Sequence, residues 1–121
     1  MAGTIVAGTL SDGTYSGSVT DTVRGACKAW VNFNGQGTIA IRAAYNVSSI
    51  TDNGTGIYAV NFTTSMPDVN YSAVNGVDGT GVVSGAVIEF ISRGTTSVGV
   101  RGTLTSGVNY DYPMIAISIF R

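Results

Sequence analysis

Residues 26–44 constrain the fold of this chain more than any other stretch. They contain two runs of alternating side chains on either side of the segment Asn34-Gly35-Gln36-Gly37. Asn-Gly accepts the positive φ angles that a tight hairpin needs, so the sequence predicts two antiparallel strands here. Because side chains alternate between the faces of a strand, one face is predicted to enter the core; it consists of Cys27, Ala29, Val31 and Phe33. The opposite face carries the only tryptophan, Trp30, and we expect a subunit or a ligand to cover it.

The composition extends this prediction to the rest of the chain. Only 11% of the 121 residues are charged, and 17 are glycine, which favours strands joined by tight turns over helices. Further strand patterns follow at residues 57–63, 71–75, 82–91, 98–104 and 114–120. The predicted fold is therefore all-β, an antiparallel β-sandwich of about seven to eight strands over residues 26–121.

Residues 1–25 differ from the sandwich and are predicted to form an N-terminal attachment or oligomerisation arm. They are rich in Gly, Thr and Ser, and their apolar residues are too few to close a core of their own. We expect one short strand over residues 4–10 and an otherwise extended arm, ordered by docking on a neighbouring subunit or a larger assembly. Ile5, Val6 and Leu10 are its expected anchors. The alternative is a flexible terminus.

Two strand segments, residues 82–91 and 114–120, carry apolar side chains on both faces, which predicts burial on both sides. The outer faces of a simple sandwich should be polar, so this pattern indicates a homo-oligomer, preferably a trimer around a threefold axis. The predicted interface residues are Trp30, Val83, Val87, Ile91, Met114 and Phe120. The alternative is a sandwich with scattered exposed apolar side chains.

The sequence offers little chemistry, and we predict no catalytic residue, metal site or cofactor. It contains no histidine, and its seven acidic residues are scattered. The lone cysteine, Cys27, is predicted to be a buried thiol, and Glu89 is predicted to pair with Arg42 or Arg101. A net charge of −1 without a basic cluster argues against nucleic-acid binding, and no apolar run approaches the ~20 residues of a membrane span.

Two loops combine aromatic rings with carboxylates or amides, a pairing that is typical of sugar recognition. The predicted ligand-binding residues are Asp68 and Asn70 in one loop, and Asn109, Tyr110, Asp111 and Tyr112 in the other. The alternative is structural: Tyr71 would begin a strand as a core residue, and the tyrosines of the second loop would cap the end of the sandwich.

The strings ACKAWVNFNG, IRAAYNVSSITDNG and GIYAVNFTTSMPDVNY resemble the C-terminal β-sandwich domains of tailed-phage fibres and related virion proteins, especially those of marine phages. The resemblance covers residues 24–121 and is densest over residues 26–71. It implies a virion protein, assembled in the host cytoplasm, trimeric, placed at a tail or capsid tip and binding host-surface glycans. Residues 1–25 would then contact other virion proteins. The alternative within the same class is a capsid decoration (cement) or tail accessory protein that stabilises the particle without binding a receptor.

Overall fold

Strands dominate the computed structural model, which describes residues 3–78 and 85–121. In chain order, the elements of this part of the chain are β1 (Thr9–Ser11), β2 (Ser16–Ser18), α1 (Val19–Gly25), β3 (Cys27–Asn34), β4 (Ala40–Tyr45), β5 (Val47–Asp52), β6 (Ile57–Phe62), β7 (Ser72–Asp78), β8 (Ala86–Arg93), β9 (Ser97–Leu104) and β10 (Met114–Phe120).

Strands β3 to β10 form two four-stranded antiparallel sheets, which confirms the predicted sandwich. The first sheet has the order β4-β3-β10-β7 and the second has the order β5-β6-β9-β8. The first and last strands of the sandwich, β3 and β10, pair at the centre of the first sheet, with Val31 opposite Ile117. Because this pair joins residues about ninety positions apart, it brings the beginning and the end of the sandwich sequence together in one sheet.

The core lies between the two sheets and follows the alternation of the strands. In β6 the buried residues Tyr58 and Val60 alternate with half-buried ones, and β10 buries every second residue in the same way. The rings of Phe33 and Tyr58 meet edge to face across the sheets, with centroids 5.4 Å apart. The buried hydrophobic side chains are Ala29, Val31, Phe33, Tyr58, Val60, Phe62, Met66, Tyr71, Ile88, Val98, Val100, Tyr112, Ile115, Ile117 and Ile119.

The predicted hairpin is present as β3 and β4, but its connection is longer than a tight Asn-Gly turn. Residues 35–39 join the strands, and the positive φ, +59°, falls on Gly37. Gly35 is instead buried, and its N–H donates a hydrogen bond to the Tyr112 carbonyl oxygen at 2.9 Å. A Cβ on Gly35 would lie 2.8 Å from the Tyr58 hydroxyl, so glycine here permits a close approach.

The connections divide the sandwich into two ends. The arm end holds the start of β3, the corner at Asn46, residues 63–71 and the side chain of Arg121. The loop end holds residues 35–39, 53–56 and 105–113. Backbone and side-chain hydrogen bonds join these three loops, since Gly35 donates to Tyr112 and Gly56 donates to Asp111.

The arm is more structured than predicted. Strands β1 and β2 form a hairpin, with Leu10 opposite Gly17, and the short helix α1 follows with Ser18 as its N-cap. The strand expected over residues 4–10 is thus confined to its C-terminal end. No residue of α1 is buried, and Ile5 and Val6 are 87% and 93% exposed. Lys28 connects the arm to the sandwich, because its Nζ donates to the Val23 carbonyl.

The expectation that residues 82–91 are buried on both faces is wrong for the described part of that segment. Strand β8 begins at Ala86 and lies at the edge of the second sheet, where Ile91 remains 47% exposed. Val83 lies outside the described residues. The outer side of β10 is half-buried rather than buried, and Cys27 is also only half-buried.

Candidate functional site

The two loops predicted to bind a ligand lie at opposite ends of the sandwich. Asp68 and Asn70 belong to the connection from β6 to β7 at the arm end, whereas residues 109–112 belong to the connection from β9 to β10 at the loop end. The strand register explains this separation, because β6 and β9 run antiparallel and are followed by these two connections. The six predicted residues therefore do not form one site.

At the loop end, the Asp111 carboxylate turns inward and fastens the loops together. Its Oδ1 accepts a hydrogen bond from the Gly56 N–H at 2.6 Å and another from the Tyr58 hydroxyl at 2.6 Å. Both donors are separated from Asp111 by more than fifty residues in sequence. We call Asp111, Tyr58, Gly56 and Gly35 the loop-end latch. Asp111 therefore has a structural role, because its Oδ1 joins two loops that are distant in sequence.

The Tyr58 hydroxyl is the centre of the latch. It lies 2.6 Å from Asp111 Oδ1 and 2.8 Å from the Gly35 carbonyl oxygen, so one proton faces two acceptors. Burial, together with the hydrogen bond to the Asp111 carboxylate, raises the pKa of the Tyr58 hydroxyl far above its ordinary value. The hydroxyl therefore keeps its proton, and the latch retains its donor throughout the neutral pH range.

A double-mutant cycle on the latch should reveal strong coupling. We expect Tyr58→Phe and Asp111→Ala each to lower the free energy of unfolding by about 1–3 kcal/mol, because Phe cannot donate to Asp111 and Ala removes the acceptor of the Tyr58 and Gly56 hydrogen bonds. The double variant should lose less than the sum of the two by about 1 kcal/mol or more, as measured by urea denaturation. Strict additivity of the two losses would show that the contact contributes nothing to stability.

The tyrosines of the same loop serve the fold in different ways. Tyr112 has no exposed surface, and its hydroxyl donates to the Thr103 carbonyl at 2.6 Å. Tyr112 was predicted as a ligand-binding residue, but its ring cannot stack on a sugar in this conformation, and it caps the sandwich instead.

Tyr110 is half-buried, with its ring centroid 5.0 Å from that of Tyr112. Asn109 forms a bridge to Thr103 and is also half-buried. Within this loop, Asn109 and Tyr110 are the predicted residues that keep accessible surface and lie outside the latch.

At the arm end, Asp68 is held by its own neighbourhood. Its carboxylate accepts from the Arg121 guanidinium at 2.6 and 3.0 Å and from the Asn70 N–H at 2.7 Å. The hydrogen bonds from Arg121 and from the Asn70 backbone hold the pKa of Asp68 below its ordinary value of 3.8. The Asn70 side chain is exposed, and its contact with Asp68 is made by the backbone only.

Replacing Arg121 by Met should raise the pKa of Asp68 toward its ordinary value without restoring it fully, because the Asn70 N–H still donates to the carboxylate. A depressed folded-state pKa stabilises the fold above the unfolded pKa, and this stabilisation is lost as pH falls through the folded value. The side-chain carboxyl resonance, followed by NMR between pH 2 and 6, measures the change. Arg24→Met, on the arm, is the matched control and should leave Asp68 unchanged.

A groove of about 550 Å³ opens beside Asp68 at the arm end. Asn46 builds one wall, because its left-handed backbone, φ +53°, turns the chain from the first sheet into the second. Its side chain donates to the carbonyls of Lys28 and Thr64 and accepts from the Thr64 N–H at 2.7 Å. The groove is lined by Lys28, Tyr45, Asn46, Thr63, Thr64, Ser65, Met66, Pro67 and Arg121.

The outer faces of the two sheets differ in polarity. The second sheet carries Asn61, which donates to Ser49 and Thr51, and an ion pair between Arg101 and Glu89, as predicted for that glutamate. The first sheet instead carries a row of directly paired residues across its four strands. We call this the aromatic row; it consists of Tyr45, Trp30, Ser118 and Val74. Tyr45, Val74 and Trp30 are 58%, 50% and 39% exposed.

The predicted subunit interface is therefore divided between two faces. Trp30, Met114 and Phe120 lie on the outer side of the first sheet, whereas Val87 and Ile91 lie on the outer side of the second. One flat patch cannot contain both sets, but a heterologous contact uses a different face of each copy, so this interface stays a prediction. Val83 lies outside the described residues. Tyr45 and Val74 were not among the predicted interface residues; the strand register places Tyr45 beside Trp30, and Val74 on the far side of Ser118.

The described residues contain no group of three or more His, Cys, Asp or Glu side chains that could hold a metal ion. Within the same part of the chain, none of the helices combines the length and apolar character needed to cross a membrane. The class of protein that these observations define is an all-β sandwich with an N-terminal arm. Comparisons with protein-family models, curated proteins and solved structures find no match to this chain.

Proposed function

We propose that this chain is a non-enzymatic virion protein of a tailed phage, a tail-fibre-like appendage that the arm fastens to the particle. The observation that carries the proposal is the division of the sandwich into two ends. The arm joins the sandwich at one end, next to Lys28, and the three described loops meet at the other. Such a domain can be fastened by one end while it presents the other to the host surface. The sequence resemblance to phage fibre domains supports this proposal.

We further propose that the loop end contacts a host-surface glycan. Asn109 and Tyr110 supply an amide and an aromatic face with accessible surface, which is the pairing that sugar recognition uses. The latch supports this role, because Asp111, Tyr58 and Gly56 hold the neighbouring loops in one arrangement. A preorganised surface loses less entropy on binding than a mobile one.

Adsorption of particles to host cells tests the glycan proposal. We expect particles whose copies carry Asn109→Ala together with Tyr110→Ala to adsorb at least about tenfold more slowly, while particle yield and mass stay unchanged. Asn70→Ala is the matched control, because this amide is also exposed and lies at the arm end. Normal adsorption by the double variant, or a loss caused by Asn70→Ala instead, would remove the loop end from the proposal.

A second candidate function is capsid decoration, and the aromatic row favours it. A decoration protein must cover part of its surface with other virion proteins, and the outer face of the first sheet exposes Trp30, Tyr45 and Val74 together. In this case particles that lack the chain should adsorb normally but release their genome at a lower temperature. Fragile particles with normal adsorption would favour decoration, whereas stable particles with impaired adsorption would favour the appendage.

A further inference from the structure

Two apolar features have no partner among residues 3–78 and 85–121, and they match each other. One is the segment formed by residues 3–8 of the arm, which we call the anchor segment. Its side chains Ile5 and Val6 are 87% and 93% exposed. The other is the arm-end groove together with the aromatic row; Tyr45 belongs to both, so they form one continuous docking surface.

We propose that the anchor segment of one copy docks on the docking surface of a neighbouring copy, so that the arms connect the subunits of a homo-oligomer. The occupant is thus a second copy of this chain. The proposal deepens the oligomeric part of the proposed function, but it concerns the isolated chain and does not require a phage particle.

The chemistry of the anchor segment fits the groove. No residue from Gly3 to Ser11 is charged, so the segment can enter a partly apolar groove without desolvating an ion. Tyr45 and Pro67 provide exposed apolar surface for Ile5 or Val6, beside the buried side chain of Met66. The volume of about 550 Å³ is that of a groove that holds several side chains.

The backbone of the anchor segment also needs partners. In the described part of the chain, its only backbone hydrogen bond is the one that the Gly8 carbonyl accepts from Val19 at 3.1 Å. The groove offers hydroxyls at Thr63, Thr64 and Ser65 that can donate to the carbonyls of an extended chain or accept from its N–H groups. Lys28 Nζ, which donates to the Val23 carbonyl, has further protons available for the same purpose.

A second copy is a better occupant than the chain's own arm. In the structure of the single chain, Ile5 and Val6 are exposed, so the arm does not cover its own groove. The β1–β2 hairpin and α1 stand between the anchor segment and β3, and Lys28 fixes the last turn of that helix. Contact between an arm and a different surface of the next copy is heterologous, and such contacts close into a ring when the rotation allows it. A trimer is one ring of this kind.

Engineered disulfides test the direction of docking in the purified full chain. In a Cys27→Ala background, one variant carries Ile5→Cys or Val6→Cys and a second carries Tyr45→Cys. After mixing at about 100 μM under mild oxidation, we expect a disulfide between the two different variants for at least one of the two arm positions, because docking brings the Cα atoms within about 7 Å. Val108→Cys, 60% exposed at the loop end, replaces Tyr45→Cys in the matched control and should form at least tenfold less of the mixed product.

The outcomes separate the possible occupants. Mixed disulfides well above the control support exchange between copies. A disulfide that forms only within one chain, in a variant carrying both cysteines, overturns the proposal in favour of an arm that covers its own groove. If the yield of mixed disulfide equals that of the control for both arm positions, the proposal that the anchor segment docks on this surface is overturned.

Light scattering after size exclusion supplies a second, independent readout. The full chain should elute as a multiple of its 12.4 kDa mass, and Ile5→Ser with Val6→Ser should lower that mass while the far-UV circular dichroism spectrum stays that of the parent chain. Tyr15→Ser, 78% exposed outside the anchor segment, is the control and should leave the mass unchanged. A monomeric full chain overturns the proposal. If the arms exchange but virions lack the chain, the inference stands and the proposed function fails.

Discussion

Gly56→Ala is expected to lower the free energy of unfolding by about 4 kcal/mol or more, a large share of the total stability of a domain of this size. Gly56 has a φ of +68°, which costs an alanine about 1–2 kcal/mol. A Cβ at this position would also lie 2.4 Å from the Gly102 carbonyl oxygen and 2.9 Å from the Tyr110 nitrogen. These are backbone atoms of neighbouring segments, so the clash can be relieved only by moving β9 or the loop after it.

Gly37→Ala provides the matched control. Gly37 has a similar φ, +59°, but nothing lies within 4 Å of the position that its Cβ would occupy. We expect Gly37→Ala to lower the free energy of unfolding only by the cost of placing alanine at a positive φ, about 1–2 kcal/mol. Urea denaturation measures this loss. The difference between the variants then measures the close packing of the loop end around Gly56. Equal losses would mean that the loops separate easily and that the latch does not hold them.

Local alternation was sufficient to predict the central strands. Residues 27–33 and 57–62 alternate strictly, and both strands lie at the centre of a sheet with one face on the core. The expectation of burial on both faces for residues 82–91 failed because apolar residues on both faces of a strand do not show whether anything covers its outer face. Ile91 lies on the outer side of the second sheet, where it is 47% exposed. Whether an outer face is covered depends on contacts with residues distant in sequence or with other chains.

The local sequence was also insufficient to predict the roles of the candidate-site residues. Asp111 and Tyr112 are close to an exposed turn in sequence, and their residue types are typical of sugar-binding loops. Their partners, Tyr58, Gly56 and Thr103, are fixed by the packing of the two sheets and not by the loop itself. One sequence signal pointed the other way, since Tyr112 stands immediately before Pro113 and the buried run of β10. A residue directly ahead of a core strand is well placed to cap it.

At both ends of the sandwich, hydrogen-bonded side chains join segments that are distant in sequence. At the loop end a buried tyrosine and an aspartate join loops that are distant in sequence, and at the arm end Asn46 joins the β4–β5 corner to residues 63 and 64. These side chains form hydrogen bonds with backbone N–H and C=O groups that the sheets leave unpaired. Because both ends are fixed in this way, the surfaces proposed for ligand and subunit contact rest on loops that buried or half-buried side chains hold in place.

Tyr112→Ala should lower the free energy of unfolding by about 3–5 kcal/mol, because it removes a fully buried ring from the end of the core. Tyr112→Phe keeps the ring but leaves the Thr103 carbonyl without its 2.6 Å donor, and we expect a loss of about 1–2 kcal/mol. Tyr110→Ala, at a half-buried ring in the same loop, should cost less than Tyr112→Ala. Thermal and urea unfolding of the three variants measure this order.

The order of these losses decides how an adsorption experiment on the loop end is interpreted. If Tyr112→Ala impairs adsorption in proportion to its loss of stability, whereas Tyr110→Ala impairs it without a comparable loss, the accessible ring at position 110 contacts the host and the buried ring supports it. A Tyr112→Ala variant as stable as the parent chain would contradict the burial of this ring. The ring would then face the solvent, and Tyr112 would return to the set of ligand candidates.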